Sequence, residues 1–380
     1  MPRAIIIGAG IGGLTAAIAL RQAGWDASVY ERASELREVG AGITLWTNAV
    51  KVLRKLGVAE PIEAVASTIR KSELRTWRGK LLVATDFSNL DTKLGAPTIA
   101  IHRAVLQAKL ADALGREHIH LGMMCIAFNQ DEKGASALFA EGDEIRGQIL
   151  VAADGIKSLV RNQLIGAAPL RYAGYTAWRG VGLVDRPEVP TGLTVVATGR
   201  GSQFGMLPIS DGHTYWFATA NVPAGGEDGA AGHKAELLKR FGDWWPAIPA
   251  VIDATAEAAI IRNDIVDRVP VRNWTDGRVT LLGDAAHPTT PNLGQGACQA
   301  IESAYVLAQS LKHAESAPEG LLAYEKARFD RTAHIAKHSW KIGKMFAYES
   351  PFKCWFRNRA LALSGGYSRR FTEKIIGFEV

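Results

Sequence analysis

The sequence predicts an α/β fold: a parallel, helix-covered sheet interrupted by an inserted antiparallel sheet and followed by C-terminal helices. Three observations predict it. The chain opens with an apolar strand that runs into a glycine-rich turn and a helix. Two distant segments, around Asp154 and Asp284, each deliver a carboxylate at the end of an apolar strand, just before a helix. Between Arg161 and Arg278 the pattern changes to short alternating strands parted by Gly, Asp and Pro turns.

The first element is the strand Ala4–Ile7, followed by Gly8-Ala9-Gly10-Ile11-Gly12-Gly13 and a helix over Leu14–Ala23. Gly24 stops that helix, and Ala27–Tyr30 reads as the second strand, closed by Glu31. Each part has a physical purpose. Gly8 permits the tight turn, Gly10 lets the backbone approach a pyrophosphate, and Gly13 lets the helix lie close on the sheet. The helix N-terminus offers free N–H groups and positive dipole to phosphates. Glu31 can accept both hydrogens of a ribose diol. Strand, helix and acidic residue are all in place, so a Rossmann-like dinucleotide site is expected, although this motif alone does not separate FAD from NAD.

The second element, Ile149 to Ala153, ends in Asp154-Gly155 and leads into a helix bearing Arg161. The third, Val279 to Leu282, ends in Gly283-Asp284 and continues through Pro291-Asn292-Leu293-Gly294-Gln295-Gly296 into a helix from about Ala297. The C-terminal edge of an open α/β sheet is where ligands bind. Asp284 is suited to a polyol chain. The glycine loop and helix N-terminus suit a planar ring that gains negative charge. Asp154 reads equally well as a cap on the helix that follows it.

These three motifs, with Gly40-Ala41-Gly42-Ile43 and Ile101-His102-Arg103, resemble the FAD-dependent aromatic hydroxylases, the group A flavin monooxygenases. The salicylate hydroxylase-like, urate hydroxylase-like and zeaxanthin epoxidase-like members look most similar, over roughly Ala4 to Lys344. The resemblance implies a Rossmann-like FAD-binding domain of the p-hydroxybenzoate hydroxylase (PHBH) type. It would be formed by residues 1–165 and 275–315, with a substrate-binding sheet at 166–274 and a helical segment at 316–380. It implies FAD as cofactor, with NADH or NADPH as reductant and O2 as oxidant. Reduced flavin would take up O2 at its C4a carbon and pass the distal oxygen to a small aromatic or heteroaromatic substrate.

Position by position, the resemblance places Glu31 on the AMP ribose and Arg103 on the FAD. It puts the Met124–Cys125 backbone at the adenine and Asp284 on the ribityl chain, with Gly294, Gln295, Gly296 and Ala297 along the flavin pyrimidine edge. Arg32, Gly42, Ile43, Thr44 and Pro291 complete the expected cofactor set with Gly8, Gly10, Gly12, Gly13 and Asp154. His287 reads as structural.

Within the inserted sheet, Tyr172–Val184, Gly192–Thr198, Gln203–Pro208 and Thr214–Ala220 are expected strands. Alternation puts Tyr175, Ala177 and Arg179 on one face, with Thr176 and Trp178 on the other. Tyr215 and Gln203 are the preferred substrate-facing polar groups, with Arg179 as a third catalytic candidate and His213 less favoured. Phe204 and Met206, with Tyr215 and Ala218, are expected to form an apolar pocket. The urate hydroxylase-like members use an Arg and an Asp where Gln203 and Asn292 stand here, which puts urate in doubt and leaves no evident general base. Three rivals share the fold. A halogenase is suggested by Trp244-Trp245-Pro246-Ala247-Ile248-Pro249, a half match to its motif. An epoxidase of isoprenoid-like substrates and a flavin-free prenyl carrier are the others.

Composition sets the limits. The chain of 380 residues is 47% hydrophobic and 22% charged, as in ordinary globular proteins. Apolar runs are too short for a spanning helix, and Cys125, Cys298 and Cys354 are widely separated. A cytoplasmic protein with free thiols and no metal is expected, as a monomer or homodimer. From Lys326 to Val380 there are 12 Lys/Arg against 4 Asp/Glu, although the whole chain carries only +6. The favoured reading is a solvated helical face. An anionic partner, a nicotinamide dinucleotide or a membrane surface, is the alternative. No motif supports nucleic-acid binding.

Overall fold

A computed structural model describes residues 1–36, 41–183, 189–209, 212–363 and 373–380. Gly40, Val184, Ser210 and Asp211 lie outside them.

A six-stranded sheet runs in the order Thr275–Asp276, Val279–Leu281, Ile149–Ala152, Arg3–Ile7, Asp26–Glu31, Ile119–Leu121. All neighbours are parallel except the first pair. The chain therefore leaves this sheet after Ile149–Ala152 and returns to it at Val279–Leu281, pairing Leu150 with Val279. Ile5, Ile6, Leu150, Val151 and Leu281 are wholly buried. Continuous apolar strands are what a sheet covered on both faces requires. The helix Ile11–Gln22 crosses the helix Gly296–His313 so closely that a Cβ on Gly12 would lie 2.9 Å from Leu282 and 3.1 Å from Ala300.

The second large sheet has seven strands: Ile261–Asp267, Arg171–Leu183, His213–Ala220, Ser202–Pro208, Leu193–Thr198, Lys71–Thr76, Leu81–Asp86. The last two come from chain well before residue 166. One of them, Lys71–Thr76, runs parallel to Leu193–Thr198, while the other pairs are antiparallel.

Strand parity corrects one sequence expectation. Phe204, Met206 and Ala218 share the back face with Trp178 and Trp216, packed on Leu237, Phe241, Ile248 and Val251 of the helices Gly232–Phe241 and Ala247–Asp253. Tyr215 lies three residues from Ala218 and so faces the other way, with Leu207 and the partly buried Phe217. The four residues cannot share a pocket. Trp244 also belongs to the back layer, 4.9 Å from Phe241 between ring centroids, and Trp245 lies over Arg75. Both therefore lie behind the seven-stranded sheet.

The expected helical segment 316–380 begins with a long helix. It spans Ala317–Phe346 and is capped by Ser316, whose hydroxyl accepts from the Glu319 amide. A further helix, Pro351–Leu363, follows. Among the described residues no helix is long and apolar enough to cross a membrane.

Candidate active site

The glycines of the first turn do different work. Gly8 holds φ +104°, and a Cβ there would lie 2.6 Å from the Ala153 carbonyl oxygen. A Cβ on Gly13 would fall 1.9 Å from the Gly8 carbonyl oxygen. Gly12 is fixed by its helix crossing. These three are required by the protein itself. Gly10 is not: its φ of −70° suits any residue, and a Cβ would meet none of the described residues within 4 Å. A glycine that the fold does not need, facing open space at a helix N-terminus, fits a close-lying pyrophosphate.

That space is a cavity of about 220 Å³ lined by Gly8, Gly10, Glu31, Arg32, Cys125 and Asp154, together with Met123, Met124 and Lys157. Glu31 is preset by its backbone neighbours: the Ala9 amide donates to one carboxylate oxygen at 2.8 Å and the Ala33 amide to the other at 3.0 Å. Its remaining lone pairs are available to a ribose diol. Asp154 accepts from the Leu159 amide at 3.2 Å, the expected cap, while its second oxygen is buried without a partner among the described residues. Burial pushes this carboxyl above the ordinary range, against hydrogen bonds from Ser158 and the helix amides. The cap is therefore present, and Asp154 also lines the cavity. Cys125 is buried, and its thiol is pushed up to about 11, so it is inert as a nucleophile.

Asp284 lies just past the strand Val279–Leu281 and is not among the residues lining that cavity. Crowding by protein pushes its carboxyl up and the Arg103 guanidinium pulls it back, yet the residue remains exposed. Walled but open on one side, it suits a hydroxyl-bearing chain. Arg103 is also exposed, at the start of the helix Arg103–Leu114, and its amide donates to the Ala41 carbonyl at 2.8 Å. Gly42, Ile43 and Thr44 form a strand paired with Ile99–His102. A Cβ on Gly42 would lie 2.4 Å from the Tyr215 ring, so glycine there lets this small sheet meet the seven-stranded one.

The loop after Asp284 turns through Pro291–Leu293 to Gly294, at φ +61°, then into the helix Gly296–His313. Pro291 and Gly294 are exposed, Gly296 and Ala297 half-buried. Gln295 is buried and belongs to a polar network. Its carbonyl oxygen accepts from Asn48 at 3.1 Å and from Gln299 at 3.0 Å, and both donors also reach Glu302. Glu302 pairs with Arg328 at 2.7 Å and with Arg331 at 2.9 Å. Burial opposes ionisation of Glu302, but the two guanidiniums outweigh it and hold its pKa below the usual carboxylate range.

On the front face of the second sheet, Gln203 lines a narrow gap with Tyr175, Thr219, Asn221 and Asn292. The Tyr175 hydroxyl donates to the Asn292 amide oxygen at 2.7 Å. Gly343 of the long C-terminal helix closes over this pair. Tyr215 and Arg179 sit together but apart from that gap. Burial raises the Tyr215 pKa, against the charge and hydrogen bond of Arg179. His213 begins a strand, where its carbonyl accepts from Ile209, and does not line the gap.

Sequence reasoning missed three supports. Arg161 is buried and donates to the Ala285 and Ala286 carbonyls at 2.7 and 3.3 Å, tying the Asp154 motif to the Asp284 motif. Gln107 donates to the Ala9 carbonyl at 2.7 Å. Lys157 lines the cofactor cavity. A basic residue placed three positions after Asp154 was the only signal available for the last. His287 is structural, its Nε2 3.0 Å from the Ser303 hydroxyl and its ring beside Trp274.

A cavity suited to a dinucleotide, an exposed acid crowded by protein, and a glycine loop packed against the second large sheet together fit a flavin-dependent oxidoreductase. The family described as FAD binding domain matches residues 2–339. The chain is 42% identical over 359 residues to the aurachin C monooxygenase/isomerase of Stigmatella aurantiaca, covering 94% of this chain and 93% of that protein. It is 35% identical over 335 residues to the FAD-dependent urate hydroxylase of Klebsiella pneumoniae, covering 88% and 87%. A crystal structure of Klebsiella pneumoniae HpxO with FAD and uric acid superposes with a TM-score of 0.94 at 31% identity, covering 99% of this chain and 96% of that one. The chain belongs to the FAD-binding monooxygenase family, and it is an FAD-dependent monooxygenase of group A.

Proposed function

We propose that this enzyme uses NADH or NADPH and O2 to hydroxylate a small, uncharged aromatic or heteroaromatic substrate. FAD, when bound, supplies the electron transfer and the activation of oxygen. The protein's own groups bind and orient. Glu31, Arg32, Lys157 and the Gly10 backbone hold the dinucleotide end, and Asp284 and Arg103 hold the ribityl chain. The Gly294–Ala297 turn and its helix N-terminus favour negative charge on the ring beside it.

The observation that carries the substrate class is the gap between Gln203 and Asn292. Its polar lining consists of amides and hydroxyls, and Asn292 is already engaged by Tyr175. Amides recognise a carbonyl or ring N–H without needing a charge on the substrate. Desolvating an anion there without a paired cation would be costly. Tyr215 does not serve as a base near neutral pH, because burial keeps its phenol protonated. With Arg179 donating to its oxygen, it holds that guanidinium in place on the front face of the sheet. Gln203, Tyr215 and Arg179 are thus positioning groups, and the substrate must be nucleophilic without help from a charged base.

The test is a screen for substrate-stimulated NAD(P)H oxidation with labelled O2, reading incorporation of one labelled oxygen atom by mass spectrometry. Neutral hydroxylated heteroaromatics and aurachin C should stimulate; urate should not. Stimulation by urate but by no neutral aromatic would overturn the substrate class.

A further inference from the structure

We propose that the helix Pro351–Leu363 is an interfacial anchor that docks this enzyme on an anionic membrane surface. The helix is amphipathic in reverse. The side it turns to the protein carries Cys354 and Arg357, both buried. Arg357 donates to the Gly199 carbonyl at 3.1 Å and the Phe346 carbonyl at 3.4 Å, and the Cys354 thiol donates to the Tyr348 carbonyl at 3.1 Å. The opposite side shows Phe352 at 72% exposure, Trp355 at 56%, Phe356 at 63% and Leu363 at 87%. Positions 352, 355, 356, 359 and 363 recur at helical spacing, so these groups form one stripe. Single exposed apolar residues need no explanation, but three aromatic rings and a leucine aligned on one helix mark a contact surface.

Charge selects the partner. Lys353 and Arg359 are exposed on the same helix, the guanidinium of Arg359 lying 5.7 Å from the Trp355 ring. Residues 337–363 hold six Lys/Arg and one acid, Glu349. Aromatic rings flanked by Lys353, with Arg359 among them on a stem long enough to reach back to the headgroups, suit a helix lying in the plane of a bilayer. Its rings enter the acyl boundary while Lys and Arg meet anionic headgroups. A second copy of the chain fits poorly. A two-fold contact through the stripe would set Lys353 and Arg359 against their own counterparts. The basic C-terminal segment is thus more than a solvated face.

The anchor lies beside the substrate gap. Immediately before the helix, the Tyr348 carbonyl accepts from the Gly201 amide at 2.7 Å and the Ala347 carbonyl from Asn221 at 2.8 Å. Gly201, Asn221 and Ala347 line the gap that holds Gln203 and Asn292. The docked face is therefore the face next to that gap. The proposal does not depend on the substrate's identity.

The experiment is co-sedimentation of the FAD-loaded protein with phosphatidylcholine vesicles, with and without phosphatidylglycerol. Wild type should pellet with the anionic vesicles, weakly with the neutral ones, and less as salt rises. Trp355→Ser with Phe356→Ser should lower partitioning about tenfold or more. Lys353→Glu with Arg359→Glu should abolish the preference for phosphatidylglycerol. Both variants should keep bound flavin and the wild-type melting temperature, which separates lost docking from lost folding. Any of three results overturns the proposal. Wild type stays in the supernatant or binds neutral vesicles equally well; the serine variant binds as wild type does; or wild type is a dimer that the serine variant splits.

Discussion

Substituting Gly10 and Gly13 separately by alanine distinguishes a glycine kept for a ligand from one kept for the fold. In Gly13→Ala the new methyl would sit 1.9 Å from the Gly8 carbonyl oxygen, a backbone atom, and 3.3 Å from the Ala153 side chain. Neither neighbour can rotate away, so the first turn of the helix must shift. Overpacking against side chains costs about 1–3 kcal/mol, and against fixed backbone the cost should reach or exceed the upper end. In Gly10→Ala the methyl meets no atom of the described residues within 4 Å, and the residue already holds φ −70° and ψ 173°. The apoprotein should then change by less than about 1 kcal/mol, since reduced freedom of the unfolded chain offsets alanine's weaker preference for a helix cap. The methyl instead occupies the approach to a pyrophosphate, and FAD affinity should fall about 10- to 100-fold, or roughly 1.4–2.8 kcal/mol. Urea unfolding of the apoproteins and titration of flavin fluorescence measure the two effects independently. If Gly10→Ala bound FAD as wild type does, or lost as much apoprotein stability as Gly13→Ala, the assignment of that cavity to the dinucleotide would fail.

Glu302→Gln should destabilise the protein by about 3–5 kcal/mol at neutral pH, because it leaves Arg328 buried and unpaired. Glu302 is held below its ordinary pKa, so its stabilising contribution is present above about pH 4.5 and disappears as pH falls through the depressed value. The gap between variant and wild type should therefore close in acid, as read by denaturant unfolding across pH. His287 has the opposite chemistry and also weakens the fold in acid. Burial lowers its pKa to about 3, so the neutral ring is native and stability drains away below about pH 6.5, by up to about 1.4 kcal/mol per pH unit. His287→Asn should flatten that part of the stability profile; an unchanged slope would place the acid lability elsewhere. Gly343→Ala would bring a methyl within 2.8 Å of the Asn292 amide oxygen and 3.3 Å of the Tyr175 hydroxyl. It should raise the KM for the substrate severalfold while flavin content stays whole, and loss of flavin instead would show that the gap serves the cofactor.

Much of the cofactor site is visible in one dimension because its parts are local. Gly8, Gly10, Gly13 and Glu31 belong to a single βαβ unit, whose turn, helix dipole and acidic strand end are set by residues within about 20 positions of one another. The Asp154 and Asp284 motifs could be read in the same way, each as a strand end delivering a carboxylate. The alternation along Arg171–Leu183 likewise separated Tyr175 and Arg179 from Trp178 correctly. What sequence could not supply was adjacency. Arg161 grips the Ala285 carbonyl from 124 positions away, and Glu302 gathers Asn48, Arg328 and Arg331 around Gln295. Which neighbours each face of Ser202–Pro208 meets depended on cross-strand register and on the helices behind it, which is why Phe204 and Met206 were misplaced. Hydrophobicity along a chain says that a side chain will be buried, but a strand buried on both faces gives no sign of which neighbour does the burying. The tertiary structure alone decided that, and it alone left the aromatic stripe of Pro351–Leu363 facing outward.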